Sequence, residues 1–144
     1  MLVQQILKSK SDDAVVTVAP GSTVADAAKI LAERRIGTVV VSADGHAALG
    51  ILSERDIVRE VAKRGGACLS DKVDTYMTTK LVTCTRNESA DKVLQMMTDG
   101  RFRHMPVVED GQLVGLITIG DVVKSKLTEL AMEKDALQGM IMGH

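Results

Sequence analysis

The sequence predicts a mixed α/β (α+β) chain in which two pseudo-symmetric β-α-β-β-α repeats pack through their sheets and a C-terminal helix follows. Internal duplication is the first observation behind this: a segment near residue 17 recurs 66 positions later. The second is an apolar run followed by Asp-Gly in each copy, which is a strong hairpin signal. The third is composition, since 45% of the 144 residues are hydrophobic but only 1% are aromatic. The core must therefore consist of aliphatic side chains.

The duplication extends over nearly the whole chain. Three pairs of segments align: 16–27 with 82–93, 50–56 with 115–121, and 3–7 with 73–77. The last pair gives each copy a short helical lead-in. We expect the first repeat over 1–64, a linker over 65–72, the second repeat over 73–130 and a helical tail over 131–144.

One helix is predicted early in each repeat. Apolar residues recur at i, i+3, i+4 and i+7 after Val24 and again after Ala90. Thr23 with Asp26 resembles a capping box, and Ser89 alone can cap the second helix.

Two strands and a closing helix complete each unit. The runs 38–41 and 105–108 are short enough for buried strands, and 48–52 and 113–117 supply their hairpin partners. A long helix is expected over about 121–140, with Val123, Leu127, Leu130, Leu137 and Ile141 on one stripe. This stripe either packs on the chain's own core or meets a second subunit, and dimer packing is favoured because so small a chain has little surface left to cover it.

Charge and targeting features narrow the function classes. A net charge of −1 and a pI near 6.3 give no global attraction to nucleic acid or to an anionic membrane. The N-terminal residues lack signal-peptide features and no apolar run approaches a membrane span, so a cytoplasmic protein is expected. Cys68 and Cys84 are isolated, which favours reduced structural thiols over a metal site or a disulfide.

The second strand of each hairpin ends near a hydroxyl residue, and a carboxylate residue follows three positions later. Ser53 precedes Asp56 by three residues, as Thr118 precedes Asp121. Such a pair at a strand-helix junction suits the vicinal hydroxyls of a ribose. The alternative is that the hydroxyls are N-caps and the carboxylates only interact favourably with the positive end of the helix dipole.

Cationic residues lie near these junctions. Arg103 and His104 enter a strand of the second repeat, whereas the first repeat has Gly37 and Thr38 at the aligned positions. Arg55 lies beside Asp56 and could reach a phosphate from the opposite repeat. We therefore expect two clefts of unequal affinity.

No catalytic cluster is visible in the sequence. Gly115 to Gly120 is followed by Asp121 rather than by Lys-Ser/Thr, so the P-loop pattern fails, and no G-x-G-x-x-G, H-x-x-x-H or G-x-S-x-G occurs. The expectation is a protein that is not an enzyme, with no catalytic residue, no metal and no catalytic cofactor.

The two repeats with Gly-φ-φ-Ser/Thr-x-x-Asp, where φ is apolar, resemble the tandem cystathionine-β-synthase (CBS) domain pair, or Bateman module, of the small stand-alone bacterial type. The resemblance implies ribose contacts from Thr118 and Asp121 and phosphate contacts from Arg103 and His104. It also places adenine near Thr83, Met105 and Pro106. Thr17, Ser53 and Asp56 then form the weaker partner cleft.

These implications give a function to test. The chain is expected to bind AMP, ADP, ATP or NAD(H) and to act as a homodimeric energy or redox sensor for a partner protein. The alternative is a ligand-independent dimerisation or protein-interaction module. Neither nucleic acid nor membrane is an expected partner.

Overall fold

The computed structural model describes residues 1–10 and 15–141. In the first half of the chain the helices are α1 (Val3–Ser9), α2 (Val24–Arg34) and α3 (Glu54–Arg64), and the strands are β1 (Thr17–Val18), β2 (Thr38–Val41) and β3 (Gly50–Ser53). A 3₁₀ helix over Gly65–Ser70 leads to the second half, which contains α4 (Val73–Tyr76), α5 (Ala90–Gly100), β4 (His104–Glu109), β5 (Gln112–Thr118) and α6 (Ile119–Ile141). The mixed α/β class with a C-terminal helix is confirmed.

Each repeat contains one small sheet, but the two sheets differ in their number of strands. β1 runs parallel to β2, which pairs antiparallel with β3, so the first repeat has three strands. β4 and β5 form an antiparallel pair, and the first strand of the second repeat is reduced to one parallel bridge between Cys84 and Val107. Val82 and Thr83, which precede this bridge, are exposed, so no longer ladder forms there.

Helix ends and turns follow from local chemistry. Thr23 accepts a hydrogen bond from the Asp26 amide at 3.1 Å in a capping box, and Ser89 accepts from Lys92, as the sequence predicted. The second hairpin turns through Asp110 and Gly111, both with positive φ, as a type I′ turn requires. In the first hairpin the Asp44 carboxylate instead accepts from two backbone amides of a longer loop.

Each repeat's lead-in helix packs in the core of the other repeat. Val3, Ile6 and Leu7 of α1 belong to the core that contains the β4–β5 pair. Val73 of α4 belongs to the core built on β2, with Tyr76 and Met77 packed against it. The aligned repeats are therefore tied together by exchanged helices.

The motif glycines make this exchange possible. A Cβ at Gly50 would lie 2.6 Å from the Met77 sulfur, and a Cβ at Gly115 would lie 2.8 Å from a Leu7 methyl carbon. Distances under about 3 Å are below van der Waals contact. The first residue of each Gly-φ-φ-Ser/Thr-x-x-Asp segment thus admits the lead-in side chain of the other repeat.

Cys68 and Cys84 are free and buried, and burial raises the pKa of Cys84 to about 11. α6 begins two residues before the predicted start and ends one residue after the predicted end. None of the described helices is both long and apolar enough to cross a bilayer.

Candidate functional site

Both strand-helix junctions carry the same hydrogen-bonded box. Oδ2 of Asp56 accepts from the Ser53 amide at 2.9 Å, and the Asp56 amide donates to the Ser53 hydroxyl at 3.2 Å. The corresponding distances between Thr118 and Asp121 are 3.0 and 3.1 Å. These groups are therefore N-caps in this structure, and their carboxylates are held at fixed positions beside the strand ends.

A cavity of about 750 Å³ lies between the repeats, a size common for ligand pockets. Its lining includes the Asp56 junction of the first repeat and the segment before β4 in the second. From the sequence-predicted set it brings together Ser53, Arg55, Asp56, Arg103, His104 and Thr118.

The cavity is rich in cationic side chains. Five line it, against the two carboxylates of Glu54 and Asp56; they are Arg55, Arg59, Lys80, Arg101 and Arg103. Arg59 donates to Oδ1 of Asp56 at 2.7 Å. Within residues 1–10 and 15–141, the other four cations form no ion pair. Together they favour an anionic ligand.

His104 lies where the repeats approach each other. A Cβ at Gly37 would be 3.7 Å from His104 Nε2 and 3.6 Å from Oε1 of Glu54, so both side chains lie beside the Gly37 backbone. Burial lowers the pKa of His104 below its ordinary range, and the opposing effect of the Glu54 charge is smaller. The imidazole is therefore neutral near pH 7, and it offers a hydrogen bond rather than a charge.

Asp121 does not line this cavity. Its Oδ2 accepts a hydrogen bond from the Lys10 ammonium at 2.9 Å, and the same ammonium donates to the Leu116 carbonyl at 3.0 Å. The sequence grouped Asp121 with Arg103 and His104, whereas the cavity combines those two residues with Asp56. A ribose contact by Asp121 stays a prediction.

The residues predicted around adenine also lie apart from the lining. Met105 and Pro106 are buried in β4, where the Pro106 carbonyl accepts from the Cys84 amide at 3.1 Å. Thr83 is exposed next to Val82, which does line the cavity, and Thr17 is half-buried in β1. Their roles toward adenine stay predictions.

Several lining residues were missed by the sequence reasoning. Lys80 follows the second lead-in, Arg101 ends α5 in a left-handed conformation with φ of 56°, and Phe102 is the only phenylalanine of the chain. Leu81 and Val82 add apolar surface. The sequence could have pointed to Phe102, because it is one of only two aromatic residues in the chain and an aromatic ring can stack on a planar base.

Metal binding finds no support in the part of the chain that the structure describes. Across these residues, three or more His, Cys, Asp or Glu side chains do not cluster in a way that could hold an ion. The polar groups of the cavity are instead those that recognise phosphate and sugar hydroxyls.

Comparisons with known proteins identify relatives of the whole chain. The family model for the CBS domain matches residues 5–63 and 73–127. The CBS domain-containing protein CBSX3, mitochondrial, from Arabidopsis thaliana is 34% identical over 148 aligned positions, which cover 98% of this chain and 72% of that protein.

Solved structures match as well. The CBS-domain containing protein ATU1752 from Agrobacterium tumefaciens has a TM-score of 0.82 and 45% identity, covering 88% of this chain and 99% of that one. The CBS domain pair of protein MJ0100 was solved in complex with 5-methylthioadenosine and S-adenosyl-L-methionine. It has a TM-score of 0.77 and 25% identity, with 90% of this chain and 98% of that chain covered.

Proposed function

The chain belongs to the CBS domain family, and we propose that it is a regulatory module that binds an adenine nucleotide in the cavity between its repeats. The observation that carries the proposal is the set of four cations without an ion-pair partner in the described chain, gathered around the Ser53–Asp56 junction. Cationic side chains lining one cavity without carboxylate partners favour a phosphate-bearing ligand.

Ribose recognition is assigned to Asp56 with Ser53. Arg59, which now occupies Oδ1 of Asp56, belongs to the same helix and has a side chain that is 54% exposed. The Asp56 side chain is only 13% exposed, but the Arg59 guanidinium is solvated, so a ribose hydroxyl can replace it at Oδ1 while the guanidinium turns to water. The guanidinium then remains in water or meets the phosphate.

Adenine is assigned to the apolar part of the same cavity. Phe102 lies with Leu81 and Val82 along one side, and these groups offer surface to a planar base. The ligands named for the MJ0100 domain pair both contain adenosine, which supports an adenosine-type ligand here. A sulfonium cation, however, suits a cavity with five cationic side chains poorly, so a phosphorylated ligand such as AMP, ADP, ATP or NAD(H) is proposed.

A thermal-shift panel tests this function. We expect AMP, ADP, ATP or NADH to raise the melting temperature, because a ligand at 100 times its dissociation constant adds about 2.7 kcal/mol of stability. S-adenosylmethionine serves as the matched adenosine ligand without phosphate and should raise it less. If millimolar concentrations of all four nucleotides leave the melting temperature unchanged, the module is not a nucleotide sensor.

A second observation favours self-association. α6 exposes an apolar stripe whose members are 44–83% accessible: Val123, Leu127, Leu130, Leu137 and Ile141. Contiguous apolar surface on a soluble domain usually marks an interface. We propose that a second copy of the chain covers this stripe, and that nucleotide binding alters the packing that a partner protein reads.

Sedimentation of the wild type and of Leu130→Glu tests the interface. The wild type should sediment as a dimer and the variant as a monomer, because a carboxylate in an apolar interface is costly to bury. A monomeric wild type at concentrations well above the micromolar range would remove the homodimer from the proposal.

A further inference from the structure

Lys10 holds the carboxylate of the second repeat in a half-buried ion pair. Its ammonium lies 2.9 Å from Oδ2 of Asp121 and 3.0 Å from the Leu116 carbonyl oxygen. The side chains of Lys10 and Asp121 are only 23% and 22% exposed. Because the ammonium occupies Oδ2, a ribose whose two vicinal hydroxyls bind both carboxylate oxygens of Asp121 must displace Lys10.

The first repeat has the same groups in a different arrangement. Lys80 follows Met77 by three residues, as Lys10 follows Leu7, and these two preceding residues cover the two motif glycines. Lys80 nevertheless lines the open cavity and forms no ion pair with any described residue. The lysine that pairs with Asp121 thus has a counterpart that leaves Asp56 unpaired with it, and Asp56 lines the cavity although its side chain is only 13% exposed.

We propose that Lys10 excludes a nucleotide ribose from Asp121, so that each chain binds one nucleotide, in the cavity around Asp56. This inference rests on the proposed function, because it concerns how many of the two duplicated ribose-binding junctions are used. Lys10 is in this account a specificity-determining residue, which acts by occupying the position of a ligand.

Hydrogen-bond chemistry explains the difference between the junctions. A neutral ribose hydroxyl that replaced Lys10 would exchange a charge-assisted bond for a weaker one and would leave the Leu116 carbonyl without its donor. At the other junction the Ile51 carbonyl, which corresponds to that of Leu116, accepts from the Thr78 amide at 2.8 Å. A ligand near Asp56 therefore displaces only the exposed Arg59 side chain.

Calorimetric titration with AMP tests the inference on the full chain. The wild type should bind one AMP per chain and Lys10→Met should bind two, because methionine keeps the apolar stem but neither the charge nor the donors. Lys8→Met is the matched control, since Lys8 lies on α1 but is exposed and has no ion-pair partner among the described residues. It should bind one AMP.

A double variant shows where the additional AMP binds. Lys10→Met combined with Asp121→Asn should return the stoichiometry to one, or weaken the second binding event by about tenfold or more, as expected for loss of a charged acceptor. Circular dichroism of each variant establishes that it is folded. Two equal events in both Lys10 variants would place the second AMP away from Asp121 and overturn the inference.

The remaining outcomes separate this inference from the function on which it rests. One AMP bound by both the wild type and a folded Lys10→Met supports the function and overturns the role of Lys10. Two AMP molecules bound per wild-type chain would likewise support the function and overturn the role of Lys10. No binding by any variant overturns both.

Discussion

The junctions at Asp56 and Asp121 have the same local structure but different neighbours. In each, a carboxylate closes a capping box with the hydroxyl residue three positions earlier. The cation on Asp56 is Arg59, which is exposed and comes from the same helix, whereas the cation on Asp121 is the half-buried Lys10, which comes from the other end of the chain. Duplication therefore preserved the cap, while contacts between distant segments decide which carboxylate a ligand can reach.

The largest effect is expected from removing a cation of the open cavity. Arg103→Ala should weaken AMP binding by about 10- to 100-fold, because charge-assisted hydrogen bonds to phosphate contribute about 1.5–3 kcal/mol. Arg34→Ala is the matched control: Arg34 is exposed at the end of α2 and does not line the cavity. Equal losses in the two variants by calorimetry would mean that only overall charge matters and that the cavity is not the site.

The parts of this comparison that are local in sequence were predictable. The capping pairs, the Asp110-Gly111 turn and the spacing of 65 between Asp56 and Asp121 depend on neighbouring residues, so the fold class and α6 followed from the pattern, whereas the first hairpin has a longer loop than its Asp-Gly predicted. The sequence also predicted two clefts of unequal affinity from Arg103, His104 and Arg55, and this stays a prediction, since Arg55, Arg103 and His104 line one cavity.

The contacts that make the two junctions different could not be predicted, because they depend on packing between distant segments. Lys10 and Asp121 are 111 positions apart, and no periodicity connects them. The exchange of lead-in helices between cores and the position of Lys80 at the cavity likewise follow from how the repeats meet. Sequence alignment of the two copies hides these features, because it compares each residue with its counterpart and not with its contacts.

A large effect on stability is expected at the motif glycines. Gly115→Ala should lower the free energy of unfolding by about 1–3 kcal/mol, since overpacking a core forces side chains out of their rotamers. Gly50→Ala should cost less, because the nearest atom there is the sulfur of the flexible Met77, whereas at Gly115 it is a methyl carbon of the branched Leu7.

Urea denaturation of both glycine variants measures this difference. Leu7→Ala combined with Gly115→Ala should show a favourable coupling, because the smaller side chain makes room for the new methyl group. Additive losses in the double variant would show that the two residues do not share the contact.

A smaller change in the free energy of unfolding is expected when either of two buried hydroxyls of the first repeat is removed. Thr38 Oγ1 has no hydrogen-bond partner among the described residues, whereas Ser42 Oγ accepts from the Gly45 amide at 2.9 Å. Thr38→Val should therefore raise the free energy of unfolding by up to about 1 kcal/mol, and Ser42→Ala should lower it by about the same amount. The opposite order in urea denaturation would contradict the assignment of partners.

The smallest expected effect is a pH dependence of folding stability. It should come from His104, because the aligned residue of the first repeat is Thr38, which does not titrate. Burial lowers the pKa of His104 in the folded chain below its ordinary value of 6.5. The unfolded state therefore binds more protons, so this residue makes stability decrease as the pH falls through 6.5.

Thermal melts between pH 5 and pH 8 measure that contribution. His104→Gln should reduce the loss of stability on acidification. If His104→Gln keeps the full pH dependence, the imidazole is not the group that titrates.

The central claim is that the cavity around Asp56 is the nucleotide site. Calorimetric titration of AMP into the wild type, Asp56→Asn and Asp121→Asn tests it most directly, because asparagine preserves shape and part of each cap while removing the charge. Asp56→Asn should weaken binding by about tenfold or more, and Asp121→Asn should leave the affinity unchanged. A loss confined to Asp121→Asn, or an equal loss in both variants, would contradict the account.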